Sequence, residues 1–363
     1  MSTFGRIAIL TGGGDCPGIN AVIRAVAKKA ILEHNLEVIG IEDGYDGAVL
    51  NHYRELRFID VSGIITQGGT ILGTSNTANP YRYAVKKNGD LEYKDVSKET
   101  VANLRKLEIE CLVCVGGDGT LSIANALYRD GIPIVGIPKT IDNDLRGTDI
   151  TFGFDSAVSI ATEAIDRLHS TAQSHHRVMV LEVMGRNAGW IALHAGVAGG
   201  GDIILIPEIP YNIDLIAKKV KERSISGKRF SIIVVAEGAR SLEGKTVVQR
   251  VVKESTDPIR FGGIGFLVGK QIEESTGIET RSVVLGHLQR GGTPTAFDRV
   301  LATRLGTRAV DMITQQCFGH MVGVQKNELV DVPLADVARG QRTVPTDNPL
   351  IASARSVGTS FGD

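Results

Sequence analysis

Two periods alternate along the chain. Short, mostly apolar runs read as buried strands: 6–11, 36–41, 112–115, 132–137, 177–183, 202–206, 230–236, 281–288 and 321–324. Between them apolar residues recur every three or four positions, which predicts helices over 19–33, 99–107, 156–169, 188–197, 214–223 (capped by Asp214), 264–276 and 296–313. Strand after helix after strand predicts an α/β chain with doubly wound, mostly parallel sheets. Most of these strands stop at glycine or at a polar cluster: GGGDCPG (12–18), GGDG (116–119), PKTIDND (138–144), MGR (184–186), Glu237 and QRGG (289–292). Ligands of such sheets bind at strand C-terminal ends, so these corners predict one composite site. Residues 67–79 read as a loop over a ligand. The tail after Arg339 lacks periodicity and reads as partly mobile.

With 363 residues there is room for two domains with real cores. A formal net charge of −1 leaves no electrostatic footprint for nucleic acid. The longest apolar stretch, 188–207, is interrupted by His194, Gly199–Gly201 and Asp202, so it reads as helix, turn and strand, not a membrane span. With no leader pattern at the start, the reading is a soluble cytoplasmic protein. Of the 4 cysteines, Cys111 and Cys114 form a CxxC. On a strand, positions i and i+3 face opposite ways, so buried structural thiols are expected there and no metal site. Cys16 lies in a glycine loop beside a helix start, and an inert thiol is the favoured reading there too.

The stretch CLVCVGGDGT (111–120) carries the first chemistry. A buried strand ends in three glycines and Asp118, and Thr120 is expected to cap a helix from about Leu121. Backbone N–H groups at a helix start suit phosphate oxygens, and Asp118 makes sense beside them if a divalent cation lies between. A glycine turn without a ligand is the alternative. In PKTIDND, Asp142 and Asp144 sit with Thr140 and Asn143; one carboxylate can accept a proton from an incoming hydroxyl while the other orders a metal's surroundings. An Asx-turn with solvated carboxylates is the alternative. Arg186 can stabilise charge on a transferring group, or be a surface arginine. Arg281 and His287 fall on one face of the expected 281–288 strand, and Arg177, Arg281 and Arg290 at strand ends suit a phosphorylated substrate. Glu237 can accept hydrogen bonds from sugar hydroxyls.

Taken together, TGGGDCPGIN (11–20), VGGDGTL (115–121), PKTIDND (138–144), VMGRNAG (183–189), VAEG (235–238) and LGHLQRGGTP (285–294) resemble the 6-phosphofructokinase family. The resemblance implies two α/β domains, with 1–153 and 289–340 holding Mg²⁺ and the phosphoryl donor and 154–288 and 341–363 holding the sugar phosphate. It implies phosphoryl transfer to the 1-hydroxyl of fructose 6-phosphate, a step of glycolysis. Asp142 would be the base, with Thr140 beside it, Asp118 the Mg²⁺ ligand, and Arg186 the stabiliser of the transferring group. Thr140, Ile141, Met184, Gly185, Glu237, His287 and Arg290 would surround the sugar phosphate, and Gly13, Gly117, Asp118, Gly119 and Thr120 the donor. Arg177 and Arg281 match arginines that reach a neighbouring subunit's substrate, which implies a homo-oligomer, dimer or tetramer. Gly119 is the residue of ATP users and Lys139 that of pyrophosphate users, a mixed pair in which glycine usually goes with ATP; Asn76 departs from the arginine of many ATP users. A pyrophosphate-dependent phosphotransferase and a silent sugar-phosphate-binding subunit are the alternatives. Arg24 and Lys228 match effector-binding basic residues, whereas Phe58, His169 and Phe230 do not, so the resemblance does not extend to control by ADP or phosphoenolpyruvate.

Overall fold

The structure, a computed structural model, describes residues 5–87, 90–244, 248–251 and 259–363. In chain order the elements begin β1 (Arg6–Thr11), α1 (Ile19–His34), β2 (Glu37–Ile41), α2 (Tyr45–Leu50), β3 (Tyr53–Glu55), β4 (Tyr83–Lys87), β5 (Asp90–Lys94), α3 (Ser97–Lys106), β6 (Cys111–Gly116), α4 (Asp118–Arg129) and β7 (Ile134–Pro138). They continue with α5 (Phe154–His175), β8 (Val178–Val183), α6 (Trp190–Ala198), β9 (Ile203–Leu205), α7 (Ile213–Ile225), β10 (Ser231–Ala236), β11 (Val248–Val251), β12 (Ile259–Phe261), α8 (Ile264–Thr276) and β13 (Thr280–Val284). The last are α9 (Ala296–Thr314), β14 (His320–Gln325), β15 (Glu328–Pro333), α10 (Leu334–Val337) and α11 (Pro349–Ser356).

A seven-stranded sheet runs β15-β14-β7-β6-β1-β2-β3, parallel except for its two antiparallel edges, and a four-stranded parallel sheet runs β13-β8-β10-β9. The chain leaves the first sheet after β7, returns to it after β13, and comes back to the second where Ser360 pairs with Ile203. Central strands are apolar on both faces because both faces are covered. On β6, Cys111, Val113 and Val115 join one apolar cluster with Ile7 and Ile9, while Leu112 and Cys114 join another with Ala8 and Leu10. The two CxxC sulfurs therefore point to opposite faces, and burial pushes the Cys114 thiol up to about 12. Cys16 is buried, with its thiol also pushed up to about 12, as an inert thiol should be. The first cluster is continuous with Met179, Leu181 and Ile204 of the second sheet, so one core joins both layers.

Several expectations need correcting. The helix expected over 156–169 runs from Phe154 to His175, because its last turns continue on the surface where apolar spacing fades. Asn212, not Asp214, caps α7: its Oδ1 accepts the Asp214 N–H at 2.8 Å. The strand expected over 281–288 stops at Val284 and a 3₁₀ turn, Gly286–Arg290, follows, so Arg281 and His287 do not share a strand face. β15, a half-exposed edge, carries no clear apolar alternation; Lys326 and Asn327, at φ 50° and 68°, close its two-residue hairpin turn with β14. The tail is packed: α11 lies within it, and Phe361 is 1% exposed in the shared core.

Where the chain crosses between sheets, the N-termini of α5 and α9 meet. Asp298 is fully buried, and its Oδ2 accepts Ser156 N at 2.8 Å and Ser156 Oγ at 2.6 Å. Burial pushes its carboxyl up to about 6. A carboxyl raised on folding contributes full stability below its unfolded value and loses it as pH rises through its folded value. From pH 4 to 7 this group should cost the chain about 2 kcal/mol. The destabilisation caused by Asp298→Asn is accordingly expected to be smaller near pH 7.5 than near pH 4.5, as urea unfolding at the two pH values would measure.

Candidate active site

The strand ends converge on one cleft of about 1480 Å³ between the two sheets. Its first wall is built where β6 becomes α4. Helix α4 starts at Asp118 with Gly117 as its N-cap, so Thr120 lies in the first turn and is not the cap. Thr120 instead packs under the glycines, since a Cβ on Gly116 would sit 2.3 Å from the Thr120 Cβ. Gly116 is thus a packing glycine, while Gly117 and Gly119 line the cleft. A Cβ on Gly119 meets nothing within 4 Å. Asp118 Oδ1 accepts the Gly119 N–H at 2.8 Å, which holds the exposed carboxylate at the positive end of the helix. Past this turn the cleft is lined by Ala78, Tyr81, Ile123 and Ala126, an apolar and aromatic extension.

The second corner follows β7. Asn143 takes a left-handed φ of 51°, and its Oδ1 accepts Thr151 N at 3.0 Å. That bond shapes the loop so that Asp142 and Asp144 both line the cleft. Asp142 donates its N–H to Thr140 Oγ1 at 3.2 Å, while its Oδ1 is shielded from water and has no hydrogen-bond partner. Burial pushes the Asp142 carboxyl up and Asp118 adds to this, against the pull of Arg290, Lys139 and Arg186. Burial, then Asp142 and Asp118, push Asp144 up as well. Lys139 is 3% exposed and donates to the Gly14 carbonyl. Desolvation moves its pKa down.

The third group comes from the four-stranded sheet. Arg186 and Glu237 follow β8 and β10, which are hydrogen-bonded neighbours, and Gly238 N–H donates to Gly185 O at 3.1 Å. A Cβ on Gly238 would lie 1.8 Å from the Arg186 carbonyl, so only glycine lets these corners meet. Burial, then Asp142 and Glu182, push Glu237 up to about 7. His287 and Arg290 enter from the 3₁₀ turn, and Arg290 Nη1 donates to Asp15 O at 3.2 Å, across to the loop after β1. Gln289, fully buried, ties that turn to the Met184 N–H at 3.3 Å.

The cleft brings together Gly13, Gly117, Asp118, Gly119, Thr120, Lys139, Thr140, Asp142, Met184, Arg186, Glu237, His287 and Arg290. Ile141 is 1% exposed with its side chain in the core, so only its main chain can serve a ligand; Gly185 lies behind the wall it shapes. Arg177 and Arg281 are outside the cleft: both pair with Glu279, and Arg177 Nε reaches its Oε2 at 2.6 Å. Gln341, Asn187 and the apolar extension were missed. Only the QR of HLQR hinted at Gln289, and nothing local marks Gln341.

Among the described residues no group of three or more His, Cys, Asp or Glu could hold a metal ion by itself. Mg²⁺ binds through one or two carboxylates plus substrate phosphates and keeps much of its water. Asp118 at the N-terminus of α4, within electrostatic reach of Asp142, is a donor set that would fit it.

The chain is similar to proteins of known family. The family model described as Phosphofructokinase matches residues 6–313. The chain is 52% identical over 365 residues to "ATP-dependent 6-phosphofructokinase 2" of Clostridium perfringens, with 100% of both chains covered. It is 50% identical over 342 residues to the "Pyrophosphate--fructose 6-phosphate 1-phosphotransferase" of Amycolatopsis methanolica, covering 94% of this chain and 97% of the other. The solved T-state phosphofructokinase of Pichia pastoris superposes with a TM-score of 0.80 at 30% identity, over 99% of this chain and 37% of that one.

Proposed function

The chain belongs to the phosphofructokinase family, and we infer that it transfers the γ-phosphoryl group of ATP to the 1-hydroxyl of D-fructose 6-phosphate, yielding fructose 1,6-bisphosphate and ADP. The observation that carries this reading is the meeting of Asp118 and Asp142, from separate corners, in one cleft with Arg186 and Arg290. Asp142 Oδ1, buried and without a partner, suits the role of acceptor for the hydroxyl proton. As the 1-oxygen forms its bond to phosphorus, the bond from phosphorus to the ADP oxygen breaks, and the proton stays on Asp142. Arg186 stabilises the equatorial charge of the transferring group. Thr140, the main chain of Ile141, Met184, Glu237, His287 and Arg290 bind the sugar phosphate, with Gly185 shaping the wall behind them. Gly13, Gly117, Asp118, Gly119 and Thr120 bind the donor. Asp118 would hold Mg²⁺, which neutralises charge on the donor phosphates when bound. In this reading 1–153 with 289–340 form the donor domain, and 154–288 with 341–363 the sugar-phosphate domain.

Arg177 and Arg281 act in a neighbouring copy of a homo-oligomer, dimer or tetramer. Arg281 stands on the edge strand β13, and Val284 and Phe266 at the cleft are exposed apolar residues of the kind a second copy covers. No helix among the described residues is long and apolar enough to cross a membrane, and we place this glycolytic step in the cytoplasm.

The donor is tested by assaying fructose 1,6-bisphosphate formation with MgATP and with magnesium pyrophosphate. Lys139, beside Gly13 and Gly14, favours pyrophosphate as a second reading. The open space at Gly119 and the apolar extension beyond it favour ATP. At Gly119 an aspartate has room to fold, and its carboxylate would face the inner phosphate of a nucleotide. Gly119→Asp is expected to lower kcat/KM for ATP by about 10²-fold, through lost space and like charge in a partly desolvated site, with pyrophosphate use less affected. Equal losses with both donors would remove the steric argument.

A further inference from the structure

Gln341 lies in the C-terminal segment, where periodicity predicts nothing, yet it touches three corners of the cleft. Its Nε2 donates to Asp118 Oδ2 at 3.0 Å, and its Oε1 accepts Asn187 Nδ2 at 2.7 Å. Asp118 opens the helix after β6 of the seven-stranded sheet, and Asn187 follows Arg186 after β8 of the four-stranded sheet. The Gln341 main chain pairs with Leu145, next to the acidic loop, and the following Arg342 N–H donates to Asp144 O at 2.7 Å. One amide therefore spans the two walls, fixed at its base to the loop that carries Asp142.

The strap is held firmly. Arg342 Nη2 donates to Asn143 O at 2.9 Å and to Asp149 O at 2.8 Å, and its guanidinium lies 4.4 Å from the Trp190 ring centroid. Trp190 Nε1 donates back to Arg342 O at 3.1 Å, and Val344 N–H donates to Glu208 Oε1 at 2.8 Å. The backbone that carries Gln341 is thus already ordered, and only the side-chain rotamers remain to be fixed by its two partners.

We propose that Gln341 is a positioning residue that orients Asp118 for the metal and sets the spacing of Asp118 from Arg186. Asp118 already has Oδ1 bonded to the Gly119 N–H and Oδ2 to Gln341, which leaves lone pairs of both oxygens for a cation. Partners behind a ligating carboxylate fix its direction and contribute to affinity. Because the other end of the amide holds Asn187, the same contact couples the carboxylate to the wall that carries Arg186. The inference rests on the reading of Asp118 as the metal ligand.

The test measures Mn²⁺ binding by electron paramagnetic resonance, with a non-hydrolysable ATP analogue present, in the full-length chain and three variants. Gln341→Met keeps the length of the side chain and removes both bonds; Gln341→Ala repeats the deletion with less bulk; Asp118→Asn checks the underlying reading. For both Gln341 variants, Mn²⁺ affinity is expected to fall about ten- to hundredfold, the size of one hydrogen bond to a charged group, while KM for fructose 6-phosphate changes less than about twofold. Thermal denaturation establishes that each variant is folded, and Gln341→Met decides if the alanine variant is not. Unchanged Mn²⁺ affinity in Gln341→Met overturns the proposal. Tighter binding also overturns it, because Gln341 would then be competing for the carboxylate. Unchanged affinity in Asp118→Asn overturns the metal reading itself and the proposal with it.

Discussion

Asp142→Asn is expected to lower kcat by about 10³- to 10⁴-fold with little change in KM for fructose 6-phosphate, because the substitution keeps shape and removes the proton acceptor. Steady-state rates, together with calorimetric titration of fructose 6-phosphate, measure both halves. Near-normal turnover would take Asp142 out of the base role. The same substitution has a second signature. Burial holds the Asp142 carboxyl above the usual carboxylate range, so the empty protein loses stability as pH rises through that raised value. Asparagine carries no such charge. The variant is therefore expected to melt higher than the parent at pH 8, with the gap narrowing toward acid pH.

Arg186→Ala is expected to lower kcat by about 10³-fold, in the range of an arginine that stabilises a transferring phosphoryl group. Arg186→Lys should recover part of this, since a lysine restores the charge but not the planar fork. If the arginine acts on charge that develops only in the transition state, the loss should fall on kcat and kcat/KM together. A rise in KM for fructose 6-phosphate at unchanged kcat would move Arg186 to ground-state binding.

The corners were legible in the chain wherever chemistry follows directly on a buried strand. β6 runs into Gly117 and Asp118, and β7 into Thr140 and Asp142; each strand is apolar throughout, so its end is marked by the first glycines and polar residues after it. Thr120 shows the limit of that logic. Its hydroxyl in a first turn looks like a cap, but the glycine at 116 is there to receive its side chain, a contact 4 residues away along the sequence that only the folded turn makes. His287 shows another limit. Alternation continues past Val284, yet Gly286 turns the chain at φ 48° and the strand pattern ends. β15 and the extension of α5 were illegible because half-exposed elements lose the contrast on which periodicity depends.

By itself the sequence determined the α/β alternation, the sheet-end location of the chemistry and the acid, base and arginine candidates, because burial and backbone turns impose local patterns that neighbouring residues must obey. Only the tertiary structure decided which corners face each other. It brought Gln341 to Asp118 across 223 positions, turned Arg177 and Arg281 away from their own cleft onto Glu279, and laid Arg290 against the loop after β1. Contacts of that kind depend on how two sheets sharing one core are set against each other, and no periodicity along the chain encodes that angle.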